Sequence, residues 1–116
     1  MSISSRRCNR VGALLRVEVA RLLLEEVSDP SLHGVSITEV HVSGDLKQAE
    51  IFFTSQGSSE KEVVRGFQRA APFLKRRLGE TLSLRFVPDM KFIVDTQMET
   101  VQRLLGLMDK NARGEG

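Results

Sequence analysis

The sequence predicts an α+β domain in which helices pack on one face of a three-stranded sheet. Apolar residues recur every three to four positions in two long segments, which is the period of an amphipathic helix. Two shorter segments rich in Val, Ile, Phe and Thr meet at Gly44-Asp45, which suits a tight hairpin. A last segment, Leu82–Val94, places apolar residues at every second position, as a strand does.

The first helix is expected from about Arg6 to Val27, with Ser4 or Ser5 as its N-cap. Its core-facing stripe consists of apolar residues at spacings of three and four: Val11, Leu15, Val19 and Leu22, widened by Leu14 and Leu23. The segment Ser28-Asp29-Pro30 ends the helix, because the residue before a proline avoids helical geometry.

Two strands are expected next, at Val35–Ser43 and Leu46–Thr54, joined by a two-residue turn of type II′ at Gly44-Asp45. That pairing places Val40 opposite Ala49.

The same pairing has two faults within the first strand. Glu39 lies opposite Glu50, which like charges disfavour, and the apolar positions change from odd to even numbers along the strand. One extra residue near Thr38–Glu39 corrects both, so the sequence predicts a β-bulge there.

A second helical segment begins after Ser59, an N-cap followed by the acids Glu60 and Glu62. Pro72 lies inside the apolar pattern and removes a backbone donor, so we expect a break or an interhelical kink at Ala70, Ala71 and Pro72. The expected pieces are 60–70 and 72–79, with Gly79 as the C-terminal cap.

The third strand, Leu82–Val94, follows, with Pro88 suited to an edge strand or a bulge. A short C-terminal helix is expected from Met98 to Met108. We expect residues 1–110 to form a single domain and 111–116 a short tail.

The net charge of +2 hides an uneven distribution. Residues 1–24 sum to +4, 25–60 to −6, 61–91 to +5 and 92–116 to −1. If folding brings the two positive segments to one side, the molecule presents a basic face suited to a nucleic-acid backbone. The alternative is a pair of solvated helix faces with no ligand.

The candidate RNA-binding residues are the clustered cations of the two positive segments: Arg6, Arg7, Arg10, Arg65, Arg69, Lys75, Arg76, Arg77, Arg85 and Lys91. Guanidinium groups grip phosphate oxygens through paired hydrogen bonds, and such binding needs no stacking aromatic side chains.

Catalysis and metal binding find little support. The single cysteine, Cys8, excludes an intramolecular disulfide and, with only two histidines, offers a poor metal site. His41 is expected on a strand surface, and no glycine-rich phosphate loop is present. We expect no enzyme activity, no catalytic residue, no cofactor and no small-molecule substrate. No apolar run approaches a membrane helix, so a cytoplasmic protein, most simply a monomer, is expected.

Several segments, in this order and spacing, resemble the ribosome-binding factor A family along nearly the whole chain. They are Arg10-Val11, Asp29-Pro30 with Leu32, VSGDLKQAEIFFT at Val42–Thr54, AAPFLKRRLG at Ala70–Gly79, and LSLRFVPDMKFIVD at Leu82–Asp95. Two positions depart from the family pattern: Pro72 replaces the glycine of an Ala-x-Gly kink between two helices, and Gly44 replaces an arginine.

The resemblance implies a KH-like fold of the second topological type, helix-strand-strand-helix-helix-strand. It implies association with the immature small ribosomal subunit, late processing of its ribosomal RNA, and a tie to growth in the cold. Two other hypotheses remain: a protein–protein adaptor that binds through the first helix, and an enzyme. A steep fall of affinity with salt distinguishes phosphate contacts from an apolar groove.

Overall fold

The computed structural model describes residues 3–96, with side chains from residue 6 onward. Two helices and three strands follow the order α-β-β-α-β: α1 (Ile3–Glu25), β1 (Val35–Val42), β2 (Gln48–Ser55), α2 (Glu60–Leu82) and β3 (Asp89–Val94). A short 3-10 helix, Pro30–Leu32, joins α1 to β1. The sheet order is β1-β2-β3, with β1 antiparallel and β3 parallel to the central β2. The predicted α+β class is confirmed, and the expected C-terminal helix and tail lie outside the described residues.

The core forms where both helices pack on one face of the sheet. Its fully buried side chains include Leu15, Val19 and Leu22 of α1, Ile51 and Phe53 of β2, and Phe67, Leu74 and Leu78 of α2. The predicted α1 stripe is therefore confirmed, except that Leu14 is 45% exposed. We call the uncovered side of the sheet the open face. None of the described helices is long and apolar enough to span a membrane.

The predicted bulge in β1 is confirmed. Ile37 lies opposite Phe53 and Glu39 opposite Phe52, so Thr38 is the extra residue. The extra residue lets apolar side chains on both sides of Thr38 face the helices.

The predicted two-residue hairpin turn is wrong, and the register differs by two residues. Val42, not Val40, lies opposite Ala49. The Asp45 carboxylate accepts hydrogen bonds from the Ser43 hydroxyl at 2.7 Å and the Lys47 N–H at 3.0 Å. These side-chain bonds stabilise a longer loop than the turn type expected for a leading glycine. We call this end of the sheet the hairpin end.

The two expected helical pieces, 60–70 and 72–79, are not observed, because residues 60–82 form one helix that runs through Ala70, Ala71 and Pro72. An interior proline costs about 3 kcal/mol. Large buried side chains on both sides of it each contribute about 1.5–3 kcal/mol, so packing on the sheet outweighs that cost. They are Phe67, Leu74 and Leu78. Gly79 lies inside the helix, which ends at Ser83 with a left-handed φ of 53°.

The third strand is shorter than predicted, because it begins at Asp89 rather than Leu82. Residues 83–88 form a loop in which Phe86 is 78% exposed and Pro88 is fully buried. The predicted apolar face holds only for the second half of the segment, where the Phe92 ring stacks on Phe67 at 3.9 Å between centroids. Pro88 precedes an edge strand, as its missing donor favours.

Candidate nucleic-acid interface

The outward side of α2 carries Arg65, Arg69 and Arg76, whose spacings of four and seven place them along one stripe of the helix. All three are exposed. The helix start is fixed by a capping box, in which the Ser59 hydroxyl accepts from the Glu62 N–H at 3.2 Å and the Glu62 carboxylate accepts from the Ser59 N–H at 3.1 Å. We call Arg65, Arg69 and Arg76 the α2 stripe.

Arg69 ties the α2 stripe to the segment after α1. Its Nε donates to Asp29 Oδ2 at 2.9 Å, and Asp29 also accepts from the hydroxyl and the N–H of Ser31 at 2.7 and 3.0 Å. The Ser31 hydrogen bonds, with a further contribution from Arg69, lower the pKa of Asp29 below its ordinary value. Arg69 therefore has a structural partner as well as exposure.

Arg77 is a tie between the two helices rather than a free cation. Its Nε donates to Glu26 Oε1 at 2.9 Å, and its Nη1 donates to Glu80 Oε1 at 2.9 Å. These bonds, first the one to Glu26, raise the pKa of Arg77, and the Arg77 guanidinium lowers the pKa of Glu26. Arg21 donates to the same Glu26 at 3.4 Å, which extends the network along α1.

Arg76, next to Arg77 in sequence, has no acidic partner among the described residues. Its guanidinium lies 5.5 Å from the centroid of the Phe73 ring, within cation–π range. Arg65 is likewise exposed and makes no ion pair with any residue between 3 and 96, the range that the structure describes. These two guanidinium groups are available to phosphate oxygens.

A second group of cations lies at the hairpin end. Arg6, Arg7 and Arg10 are exposed on the first turns of α1, which is fixed there by the Cys8 thiol donating to the Ser43 carbonyl at 3.1 Å. The Asp89 N–H donates to the Lys47 carbonyl at 2.9 Å, so β3 also begins at this end.

The last turns of α2 and the following loop reach the same end. Lys75 Nζ lies 2.8 Å from Asp89 Oδ1 in an exposed ion pair. Arg85, in the loop after α2, is exposed and has no acidic partner in the described chain. The fold thus brings Arg85 and the cations of α1 to one end of the molecule.

Lys91 does not join the other candidates. It lies on the open face of β3, opposite Glu50 in the register, whereas Phe92 on the other face packs against α2. The open face also carries Glu39, which bonds His41 Nε2 at 2.8 Å. The expected single basic surface is therefore divided: Arg65 and Arg76 lie on the outer side of α2, a second group of arginines lies at the hairpin end, and Lys91 lies opposite Glu50 on the open face.

The described residues hold no group of three or more side chains suited to a metal ion. Cys8 is 9% exposed, and His41 is a strand surface residue, as expected.

Sequence reasoning missed the acids that partner Arg69 and Arg77, because Asp29 and Glu26 are distant in sequence and meet α2 only after folding. It also missed the exposure of Phe86, because the alternating pattern placed that ring in a buried strand. The proline two positions later was the available signal that the strand began after this segment.

A family model described as Ribosome-binding factor A matches residues 7–108. The Ribosome-binding factor A of Synechocystis sp. is 40% identical over 110 residues, which cover 91% of this chain and 83% of that protein.

A crystal structure and a fitted homology model show the same fold. The crystal structure of ribosome-binding factor A from Thermus thermophilus has a TM-score of 0.70 and 21% identity, covering 75% of this chain and 93% of that one. A homology model of the Thermus thermophilus factor has been fitted into a cryo-electron-microscopy map of a 30S complex. It has a TM-score of 0.56 and 24% identity, and the match covers 71% of this chain and 92% of that one. KH-like topology is consistent with these neighbours.

Proposed function

This chain belongs to the ribosome-binding factor A family, and from that premise we propose that it associates with the immature small ribosomal subunit and assists the late maturation of its ribosomal RNA. It would act in the cytoplasm as a binding factor, without catalysis or a cofactor. The similar Thermus thermophilus factor has been fitted into a map of a 30S complex.

The observation that carries the proposal is a set of exposed guanidinium groups, on the outer side of α2 and in the loop that follows it, with no acidic partner among the described residues. Arg65 and Arg76 project from one stripe of α2, and Arg85 follows in the next loop. Each lacks an acidic partner within the described residues, so each can donate to phosphate oxygens without first breaking an ion pair. Arg69 and Arg77 are occupied by acids and would contribute less.

The test is co-sedimentation with precursor small subunits over a range of salt concentrations. The double substitution Arg65→Ala and Arg76→Ala should weaken association. It should also make the slope of log K against log salt concentration shallower by about 0.7 for each lost phosphate contact, the value for single strands. The matched control is Lys91→Ala on the open face, which should leave both quantities unchanged. Normal association of the double variant would remove the α2 stripe from the interface.

A protein partner is a second candidate function, because α1 leaves large apolar side chains in solvent. Val17 is 68% exposed and Leu24 is 85% exposed. If this surface carries the affinity for the subunit, Val17→Ser and Leu24→Ser will weaken association, and the salt dependence will be shallow. Strong salt dependence with unaffected Ser variants selects the RNA contact.

A further inference from the structure

We propose that Phe86 is a stacking platform for an unpaired nucleobase of the RNA that this protein binds. The proposal rests on the function proposed above and names the kind of RNA that the loop after α2 recognises: single-stranded RNA rather than duplex.

The loop that carries Phe86 is anchored on both sides. Leu84 and Val87 pack against the core, and Pro88 is fully buried. The Val87 methyl lies so close to α2 that a Cβ on Gly79 would be 3.3 Å from it. Between these anchors the Phe86 ring is 78% exposed. The ring is therefore held in solvent by a loop whose other apolar side chains, Leu84, Val87 and Pro88, are partly or fully buried.

A single exposed aromatic residue is not by itself unusual on a protein surface. The second observation is the cation next to it. The guanidinium carbon of Arg85 lies 5.9 Å from the centroid of the Phe86 ring, at the outer limit of cation–π range. Arg85 is exposed and has no acidic partner in the described chain. An exposed aromatic ring therefore lies beside a guanidinium group that can donate hydrogen bonds to a phosphate.

This pair matches the two parts of a single-stranded nucleotide. Every base has a flat apolar face that stacks on an aromatic ring, and the attached backbone carries a phosphate for the neighbouring guanidinium. Bases inside an A-form duplex are already stacked and cannot reach the ring, so the platform selects unpaired segments. A lone aromatic–arginine pair stacks any base, so little sequence preference is expected.

The chain contains no Trp and no Tyr, so a single tryptophan reports directly on the platform. In the full chain, Phe86→Trp should show fluorescence quenching when a short unstructured RNA of mixed sequence is added, and much less with the corresponding duplex. Leu24→Trp is the matched control: it is 85% exposed and adjoins Glu25 and Glu26, so it should not be quenched by either RNA.

Phe86→Ala and Phe86→Leu separate stacking from simple apolar contact. Both should lower affinity for the unstructured RNA about tenfold, leave duplex affinity unchanged and leave the melting temperature unchanged, because the ring is exposed. Wild-type affinity in Phe86→Leu, or equal quenching by duplex, overturns the proposal.

Precursor small subunits distinguish this failure from failure of the proposed function. If wild-type protein and the Trp variant co-sediment with subunits but unstructured RNA neither quenches nor binds through Phe86, the platform is refuted while the function stands. In that case, a loss of subunit association in Phe86→Ala would assign the ring to a protein contact on the subunit. If wild-type protein does not associate with precursor subunits at all, the proposed function itself fails.

Discussion

Arg76 and Arg77 are neighbours in sequence with identical chemistry, yet the fold gives them opposite surroundings. Arg77 points toward α1 and bonds Glu26 and Glu80, whereas Arg76 is exposed and lies beside the Phe73 ring, with no acidic partner among the described residues. The difference arises because successive residues on a helix project about 100° apart, and only one of the two directions meets the acids. A cluster of positive charge therefore mixes residues that hold the fold with residues free to bind.

The largest expected change in stability comes from Pro72→Ala, which tests whether the proline positions Arg76. Alanine restores the backbone donor within a continuous helix, so the free energy of unfolding should rise by about 2–3 kcal/mol. Subunit association should stay unchanged, since Arg76 already lies on an unbroken helix. Chemical denaturation and co-sedimentation measure the two effects. Weaker association in this variant would show that the proline shapes the binding surface.

The next effect breaks the comparison directly. Arg77→Glu places a carboxylate beside Glu26 and Glu80, so the melting temperature should fall by several degrees, whereas Arg76→Glu should barely change it. The double charge exchange Glu26→Arg with Arg77→Glu should recover only part of the loss, because Arg21 and Glu80 then each face a like charge. Thermal unfolding followed by circular dichroism provides the measurement, and an equal loss in both single variants would contradict the assignment.

Acid should weaken the same tie. Because Arg77 lowers the folded-state pKa of Glu26 below the ordinary 4.5, this carboxylate stabilises the fold above that pH and loses its contribution as pH falls through the lower folded value. Glu26→Gln should therefore be less stable than wild type near neutrality and converge with it in acid. Parallel stability curves for the two proteins over pH would exclude the tie as a source of acid sensitivity.

The smallest effect is expected at Lys75, whose ion pair with Asp89 is exposed on both sides. Lys75→Ala should change the free energy of unfolding by less than about 1 kcal/mol, as is usual for surface pairs. A loss comparable to that of Arg77→Glu would show that exposure alone does not separate structural cations from free ones.

Features set by local pattern could be predicted from the sequence. The bulge at Thr38 followed from a change in apolar phase, and the N-cap at Ser59 followed from its residue type and the acids Glu60 and Glu62 after it. Features set by competition with distant packing could not. The Asp45 hydrogen bonds lengthened the hairpin loop, and burial on both sides of Pro72 kept α2 whole.

The candidate site shows the same division. The outward positions of Arg65 and Arg69 follow from helical spacing alone, whereas the place of Arg76 on the same stripe depends on α2 continuing through Pro72. The acids that occupy Arg69 and Arg77, and the side of the sheet that carries Lys91, depend on the tertiary arrangement of elements far apart in the chain. Charge runs in a sequence therefore indicate where cations occur, while contacts with other elements decide which are available.

The parallel pairing of β2 and β3 imposes an order of assembly. A hairpin can form as soon as both its strands exist, but a parallel neighbour needs the whole crossover helix to be made and folded back first. Until β3 is synthesised, Phe67 lacks the Phe92 ring and one edge of β2 is unprotected. Nascent chains that stop before this strand should therefore be prone to aggregation and degradation. Completion of the fold should be a late step of synthesis.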